Sequence, residues 1–327
     1  MTTPRPRHGT LTLVTLTLTL GLTAACTSSG SEKDNSASAE TGSGSTHTVQ
    51  TAMGDVKVKD HPRRVVVLDT AELDSAITLG IKPVGATRAG AASAFLSYLP
   101  RNRTTGITEV GEIASPSLEK IAALKPDLIL SNKVRDGGRY QQLSAIAPTV
   151  LTETTGYPWK QNFLVHADAL GRKKQARAAV ATYDEHVAAV TKSLGGKKKA
   201  AAVDVNVVRF VEGADIRIYG KQNYIGTILA DVGIGRPAIT DKAKDGFSYD
   251  VSPEQIDKAD ADVIFTSTYG SPGKAKVTET TTSGLWRNLK AVRDGKVFQV
   301  DDELWIQGIG YTAANQILGE LRSDLAG

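Results

Sequence analysis

Two carboxylates, Glu119 and Glu254, occupy the same position in two matching segments. The segments read EKIAALKPDLIL from Glu119 and EQIDKADADVIF from Glu254. A Ser-Pro dipeptide precedes each segment, and this helix-entry signal predicts that both glutamates lie in the first turn of a helix. The helix dipole stabilises a carboxylate at that position by about 0.3–1 kcal/mol. That effect explains one such glutamate, but it does not explain why a second glutamate occupies the equivalent position of the other segment.

Sequence patterns typical of an active site are missing. The chain has no G-x-G-x-x-G after its first strand, no G-x-x-x-x-G-K-S/T and no G-x-S-x-G. Metal-ligand spacing is also missing among the five histidines, which are His8, His47, His61, His166 and His186. We therefore predict a non-enzyme with no catalytic residue, no cofactor and no metal held directly by the protein. An α/β surface enzyme is the rival class, because an α/β fold alone does not exclude catalysis.

The single cysteine, Cys26, follows a segment typical of an export signal. That segment has a basic start with Arg5 and Arg7 and an apolar centre over residues 11–22. The apolar centre is short and rich in threonine, which disfavours a permanent membrane span. Residues 23–26, Thr-Ala-Ala-Cys, resemble a bacterial lipobox, so we expect cleavage before Cys26 and acylation of its thiol. The alternative, a small buried cysteine, fits poorly because no neighbouring residues could build a core around it.

The net charge argues against nucleic acid as a partner. It is +4 for the whole chain and +2 from Cys26 onward, since Arg5 and Arg7 precede that residue and no acid does. One cysteine also excludes an internal disulfide. Residues 27–46 are rich in Ser, Gly and Thr and contain almost no large apolar side chain, which predicts a flexible tether.

The elements around both glutamates repeat as helix, turn and strand. In each segment an aspartate, Asp127 or Asp262, precedes a short apolar run typical of a buried parallel strand. Earlier, GIKP at residues 80–83 and GIGRP at 233–237 each close an apolar helix with glycine. This βαβ rhythm predicts two α/β units with parallel sheets, although two unrelated α/β segments could match by coincidence.

A long amphipathic helix is predicted between the two units. Apolar residues recur at helical spacing over residues 173–194, with charges between them. The predicted fold class is therefore α/β, with two parallel-sheet lobes joined by one long rigid helix. The predicted boundaries are a signal peptide over 1–25, a tether over 26–47, an N-terminal α/β lobe over 48–171, a connecting helix over 172–196 and a C-terminal α/β lobe over 197–327.

In this order of elements the chain resembles the iron-siderophore and cobalamin class of substrate-binding proteins that serve ABC importers. The likeness rests on RRVVVLD at 63–69, GIKPVGAT from 80, SLEKIAALKPDLIL from 117, IRIYG at 216–220, VSPEQI at 251–256 and LWIQGIGYTAANQIL from 304. The resemblance implies lobes that hinge little and a ligand in a shallow cleft between them. It also implies that Glu119 and Glu254 dock onto arginines of the permease dimer. The mature lipoprotein would then be anchored at the extracytoplasmic face of the cell membrane.

The resemblance also suggests the ligand, a ferric siderophore, and hydroxamate is the expected type. Such complexes are bulky and oxygen-rich, so their cleft needs aromatic surfaces and arginine forks. Trp305 matches an aromatic ligand contact of hydroxamate binders, and Trp159 is predicted at the other cleft edge. Charge is expected from Arg88, Arg135, Arg209 or Arg217, aromatic walls from Tyr219, Phe247 and Tyr249, and core packing from Trp286. Haem or cobalamin is the alternative ligand within the same fold.

Overall fold

The computed structural model describes residues 44–90 and 95–326, which fall in one compact unit over Gly44–Gly327. Cys26, the predicted signal peptide and most of the predicted tether lie outside the described residues. The first strand begins at Thr46, two residues before the predicted start of the N-terminal lobe at residue 48. The predicted lobe boundaries stay predictions.

The first half contains a hairpin and a six-stranded sheet. Its strands are β1 (Thr46–Thr51), β2 (Gly54–Lys59), β3 (Val65–Val67), β4 (Gly85–Arg88), β5 (Thr108–Glu112), β6 (Ser115–Pro116), β7 (Leu128–Asn132) and β8 (Thr149–Thr152). β1 and β2 form the antiparallel hairpin. The sheet has the order β6-β5-β4-β3-β7-β8 and is parallel except at β6. Every residue of β3 and β7 is buried, as their continuous apolar runs predict.

Helices cover this sheet. They are α1 (Thr70–Thr78), α2 (Arg101–Thr104), α3 (Leu118–Ala123), α4 (Lys133–Asp136), α5 (Tyr140–Ile146) and α6 (Trp159–Ala169), with a 3₁₀ turn at Gly137–Arg139. Asp69 caps the start of α1 by accepting a hydrogen bond from the Thr70 N–H. α1 ends before Gly80, whose φ of 81° is the left-handed conformation that stops a helix at glycine.

The second half contains a five-stranded sheet. Its strands are β9 (Val205–Val211), β10 (Ile216–Tyr219), β11 (Ser248–Val251), β12 (Val263–Tyr269) and β13 (Val297–Gln299), in the order β11-β10-β9-β12-β13. β9, β12 and β13 are parallel, as predicted, but β10 runs antiparallel to both of its neighbours. The reason is the four-residue connection after Val211, which can join only antiparallel neighbours. The second sheet is therefore mixed, and not purely parallel as predicted.

The remaining helices include the predicted long one. They are α7 (Lys173–Ser193), α8 (Lys197–Ala200), α9 (Tyr224–Val232), α10 (Val277–Thr281), α11 (Gly284–Arg287), α12 (Lys290–Arg293) and α13 (Tyr311–Leu325), with 3₁₀ turns at Ala238–Lys242 and Pro253–Ala259 and a π turn at Glu303–Gln307. At 21 residues, α7 is roughly 30 Å long. α13 packs against both α7 and α1, so a second helix joins the halves in addition to α7.

An aromatic cluster fills the space where these helices meet. Tyr311 at the start of α13 has its ring centroid 4.7 Å from that of Trp159, 4.6 Å from Phe163 and 5.3 Å from Tyr183. Tyr224 of α9 lies 5.1 Å from Trp159. The cluster belongs to one apolar core that extends from β3 to α13. Burying rings of this size stabilises the arrangement of the two halves.

The repeat seen in the sequence has a structural counterpart. The Asp127 carboxylate accepts hydrogen bonds from the N–H groups of Arg63 and Arg64, just before β3. The Asp262 carboxylate accepts one from the Asp204 N–H, just before β9. Each aspartate thus ties the start of its own strand to the start of the neighbouring parallel strand. The structure therefore contains two α/β units that share this aspartate anchor.

Candidate functional site

A cleft lies beside the carboxyl ends of the strands of both sheets. Its cavity has a volume of about 590 Å³. The first half contributes residues that follow β3, β4, β7 and β8, and the second half contributes residues of β9, β10 and β12 and of the π turn after β13. The carboxyl ends of parallel strands are where α/β proteins usually bind ligands. We call this cavity the cleft, and its two sides the first-half wall and the second-half wall.

The first-half wall carries one paired arginine. Arg135 of α4 donates from Nε to Asp69 Oδ2 over 3.0 Å. Asn132, at the end of β7, donates from Nδ2 to the same oxygen over 3.0 Å. The Asp69 side chain is almost fully buried, whereas the Arg135 side chain is 39% exposed toward the cleft. This leaves both terminal nitrogens of Arg135 outside its pairing with Asp69.

Behind this wall lies a buried polar network. Glu72 Oε1 is 3.4 Å from Asn132 Nδ2 and 3.6 Å from His166 Nε2, and His166 Nδ1 is 2.9 Å from Ser75 Oγ. Burial raises the pKa of Glu72 to about 8, and the nearby Asp69 charge adds to that rise. Burial also lowers the pKa of His166 to about 3. Both groups are therefore mainly neutral near pH 7, and their contact is polar rather than an ion pair.

The second-half wall carries two arginines side by side. Arg209 of β9 and Arg217 of β10 are directly opposite each other in the strand register. Arg209 forms a fork with Asp302, with Nε 2.6 Å and Nη2 2.5 Å from the carboxylate oxygens. Arg217 makes a single 3.4 Å contact with Asp250. Both guanidinium groups interact with the buried hydroxyl of Tyr219, whose pKa burial raises above its usual value although both cations lower it.

Apolar and aromatic side chains form the rim of the cleft. Among the described residues, seven large apolar side chains are exposed, and four of these line the cleft: Val134, Tyr157, Phe247 and Tyr269. The Arg209 guanidinium lies 4.7 Å from the centre of the Tyr269 ring, and that of Arg217 lies 5.6 Å from Phe247. Cations and aromatic faces are thus paired at the mouth of the cleft.

Six of the predicted ligand residues line the cleft: Arg135, Arg209, Arg217, Tyr219, Phe247 and Trp305. Their contact with a ligand stays a prediction. The sequence reasoning missed Val134, Tyr157, Tyr269, Ile306, Gln307 and Ile309, which also line it. Val134 and Tyr269 lie just after a strand or at its end, so the carboxyl-end rule could have identified these two once the strands were assigned. The other four lie in loops and turns farther from a strand end, where the sequence held no comparable signal.

The two tryptophans predicted at the cleft edges are buried. Trp159 is 3% exposed, does not line the cleft and donates its indole N–H to Thr227 Oγ1 over 2.8 Å. Its place at the start of α6 puts the ring between helices, which corrects the prediction. Trp305 borders the cleft but is 0% exposed. Its ring packs 4.6 Å from that of Phe265 and its indole N–H is bound to Glu320, so it is not an open aromatic face.

Two other predicted residues also lie away from the cleft lining. Tyr249 of β11 packs among the apolar residues on the far face of the second sheet, because it lies directly opposite Ile218 of β10, whose side chain belongs to the same apolar cluster. Arg88, at the end of β4, pairs with Glu109 of β5 over 3.0 Å. Neither residue lines the cleft. Trp286 packs against Phe210 with ring centroids 6.1 Å apart, which confirms it as a core residue.

The two repeated glutamates are exposed and have matching local contacts. Ser117 Oγ donates to Glu119 Oε2 over 3.1 Å. A hydrogen bond from Ser252 lowers the pKa of Glu254. Ser117, and not Pro116, is the residue before α3, because the Ser-Pro dipeptide there forms β6 instead of the predicted helix entry. Neither glutamate lines the cleft.

Two absences concern residues 44–90 and 95–326, the part of the chain that the structure describes. In this part of the chain, no group of three or more His, Cys, Asp or Glu side chains could hold a metal ion. No helix in the same part combines the length and the apolar character that a membrane crossing requires.

Comparison with known proteins gives consistent matches over most of the chain. A sequence model described as periplasmic binding protein matches residues 65–304. The probable siderophore-binding lipoprotein YfiY of Bacillus subtilis (strain 168) is 37% identical over 288 residues, which cover 85% of this chain and 87% of YfiY. The putative ABC transporter substrate-binding lipoprotein YhfQ of the same organism is 30% identical, over 84% of this chain and 86% of YhfQ.

A solved structure is also similar. Staphylococcus aureus SirA complexed with staphyloferrin B has a TM-score of 0.77 and 34% sequence identity. The match covers 86% of this chain and 98% of SirA. The α/β fold is therefore shared with a siderophore-binding protein of known structure.

Proposed function

This chain belongs to the periplasmic binding protein family, and from that membership we propose that it is the substrate-binding protein of an ABC importer and that its ligand is a ferric siderophore. The observation that carries the proposal is the cleft, where Arg135 faces the ligand space from one wall and Arg209 and Arg217 from the other. Guanidinium groups suit ligands that present anionic oxygens. The roles assigned to YfiY and YhfQ and the staphyloferrin B bound to SirA support the same function.

The proposal is tested by titrating the purified protein with a panel of candidate ligands. The panel contains a ferric hydroxamate, a ferric catecholate, ferric citrate, ferric staphyloferrin B, haem and cobalamin. We expect submicromolar binding of at least one ferric siderophore, and much weaker binding of its iron-free form. Tight binding of haem or cobalamin alone, or no binding at all, would contradict the proposal.

The type of siderophore stays a prediction. The hydroxamate type depends on the likeness of the segment around Trp305 to hydroxamate binders, but the Trp305 ring is buried. The apolar rim and the arginines suit any bulky complex with anionic oxygens. The hydroxamate member of the panel is therefore compared directly with the catecholate, citrate and staphyloferrin B members.

Delivery to a permease dimer is the second part of the proposal. Glu119 and Glu254 lie in equivalent turns, are exposed and lie outside the cleft lining. Carboxylates placed in this way can pair with arginines of a partner without disturbing the ligand. Their hydrogen bonds to Ser117 and Ser252 would hold both carboxylates in similar orientations.

Attachment to the membrane is the third part of the proposal, and it rests on the sequence around Cys26. We propose that Cys26 becomes the acylated N-terminus and anchors the protein at the extracytoplasmic face, since two or more acyl chains give stable attachment. The Cys26→Ala variant should be released into the medium or remain unprocessed, as immunoblots of cell fractions would show. A variant of mature size that stays in the membrane fraction would contradict the anchor.

A further inference from the structure

Asp302 lies directly behind an arginine of the second-half wall. Its carboxylate accepts hydrogen bonds from Nε and Nη2 of Arg209. It also accepts one from Ser267 Oγ over 2.9 Å and one from Gln307 Nε2 over 2.9 Å. The side chain of Asp302 is 8% exposed. These contacts come from three neighbouring elements, since Arg209 is on β9, Ser267 is beside it on β12, and Asp302 and Gln307 follow β13.

A buried carboxylate is unexpected in the wall of a cleft for an anionic ligand. Its charge opposes the ligand, and its oxygens are already occupied by four donor groups. The neighbouring arginines offer one reason for its presence. Arg209 and Arg217 are directly opposed on adjacent strands, and like charges in that position repel. Asp302 offsets this repulsion at Arg209. Burial would lower the pKa of Arg209, but the hydrogen bonds that Arg209 donates to Asp302 raise it above its usual value.

The geometry of the pair gives a second reason. Asp302 binds Nε and Nη2, so the planar guanidinium is held edge-on and Nη1 stays outside the fork. The Tyr269 ring covers one face of the same guanidinium at 4.7 Å. The other cleft arginines make fewer contacts with carboxylates. Arg135 binds Asp69 through Nε alone, and Arg217 has one 3.4 Å contact with the half-exposed Asp250 in addition to its interaction with the Tyr219 hydroxyl.

We propose that Asp302 is a positioning residue of the ligand site, which holds the Arg209 guanidinium in one orientation in the wall of the cleft before an anionic oxygen of the ligand binds to it. This inference rests on the proposed function, because it assumes a ligand with anionic oxygens in the cleft. Orienting the arginine before binding removes part of the entropy cost of ordering a long side chain.

The test asks whether Asp302→Asn strengthens or weakens ligand binding. If Asp302 acted only through its charge, Asp302→Asn would strengthen the binding of an anionic ferric complex. If it positions Arg209, the same substitution should weaken binding about 5- to 10-fold, the cost of ordering one flexible side chain. The matched control is Asp250→Asn, which removes the same charge near Arg217 and should leave binding equal or slightly tighter. Affinity is measured by calorimetry with the ferric complex of the panel that binds the wild-type protein best.

A double-mutant cycle shows whether Asp302→Asn changes ligand affinity through Arg209. In an Arg209→Ala background, Asp302→Asn should not weaken binding further, because the side chain that it positions is gone. Ser267→Ala is a second variant that keeps both charges and loosens Asp302, and it should weaken binding about 2-fold. Equal or tighter binding by Asp302→Asn, or an undiminished loss in the Arg209→Ala background, would overturn the proposal.

A measurement without ligand separates this inference from the proposed function. In ¹H–¹⁵N spectra of the ligand-free protein, the Arg209 Nε–H signal should be protected from solvent exchange, and Asp302→Asn should remove that protection while Asp250→Asn preserves it. An unprotected signal in the wild-type protein would overturn the positioning role even if a siderophore binds. A protected signal in a protein that binds no member of the panel would support the positioning of Arg209 and contradict the proposed function.

Discussion

The two halves of the molecule have the same anchors at the amino ends of their strands and different chemistry at the carboxyl ends. Asp127 and Asp262 make equivalent hydrogen bonds to backbone N–H groups, and Gly80 and Gly233 have φ values of 81° and 83° at the ends of equivalent helices. At the carboxyl ends, the first half presents one arginine backed by buried acids, and the second half presents two adjacent arginines. The repeated features stabilise strands, whereas the divergent features face the ligand space.

The largest expected effect concerns the two repeated glutamates, which would act as equivalent docking points. Reversing both charges, Glu119→Lys with Glu254→Lys, places like charges opposite the permease and can cost several kcal/mol of association. Uptake of the ferric ligand into cells should be nearly abolished, while affinity measured on the purified protein stays within twofold. Each single reversal should give an intermediate loss of uptake.

A control pair separates docking from net charge. Glu185→Lys with Glu279→Lys makes the same change of charge at exposed positions of α7 and α10, and it should leave uptake near the wild-type rate. Normal uptake by the Glu119 and Glu254 double variant would show that these glutamates only stabilise the start of their helices.

The second prediction concerns Glu72, the neutral buried acid behind the first-half wall. The pKa of Glu72 is about 8 in the folded protein against an ordinary value of 4.5, so the folded state holds this proton more tightly than the unfolded chain. Stability from Glu72 is therefore complete below about pH 4.5 and is lost as the pH rises through about 8. Glu72→Gln should remove that loss of stability. Between pH 5 and pH 8, the free energy of unfolding of the variant should therefore rise relative to that of the wild type by on the order of a few kcal/mol.

Denaturant unfolding at pH 5 and pH 8 measures this difference. His166 acts in the opposite direction, because its pKa of about 3 makes the folded state lose stability as the pH falls below the ordinary value of 6.5. The comparison of Glu72→Gln with wild type at each pH cancels this contribution. Glu119→Gln is the exposed control and should leave the pH dependence unchanged, so an equal effect of both variants would contradict the assignment to Glu72.

The third prediction compares the two strand anchors. Asp127 accepts hydrogen bonds from two consecutive N–H groups, whereas Asp262 accepts one from the Asp204 N–H. Removing the carboxylate leaves these donors without their partner, at roughly 1–2 kcal/mol each in partly exposed positions. Asp127→Ala should therefore lower the free energy of unfolding by about twice as much as Asp262→Ala. Equal losses in urea unfolding would show that the anchors are energetically equivalent despite their different geometry.

The smallest expected effect distinguishes two aromatic residues near the start of one strand. Phe247 lines the cleft and is 44% exposed, whereas Tyr249 packs on the opposite face of the sheet. Phe247→Ala should weaken ligand binding by about 1 kcal/mol, less than a fully buried anchor would. Tyr249→Ala should lower the melting temperature and leave affinity unchanged. Calorimetric titration with thermal melts of both variants checks this, and a loss of affinity for Tyr249→Ala alone would reverse the assignment of faces.

Local sequence patterns determined the elements of this protein. The apolar runs of β7 and β12, the glycine stops after α1 and α9 and the periodicity of α7 depend on neighbours along the chain, and the structure has each of them where the pattern placed it. Arg209 and Arg217 line the cleft as the sequence predicted, whereas Arg88, which ends β4, pairs with Glu109 and lies outside the cleft lining. The mixed second sheet was missed, although the short connection after Val211 contained the signal for an antiparallel pair. The antiparallel strand β6, formed by the Ser-Pro dipeptide, was missed as well.

Tertiary structure decided which side chains face the cleft. Trp159 and Trp305 have the right residue type for a ligand contact, yet the packing of α6 and α13 encloses both rings. A shift of one residue along a strand changes the face that a side chain occupies, and composition cannot reveal that shift. The pairing of Arg209 with Asp302 was equally hidden, because the two residues are 93 positions apart and meet only when β9, β12 and β13 lie side by side.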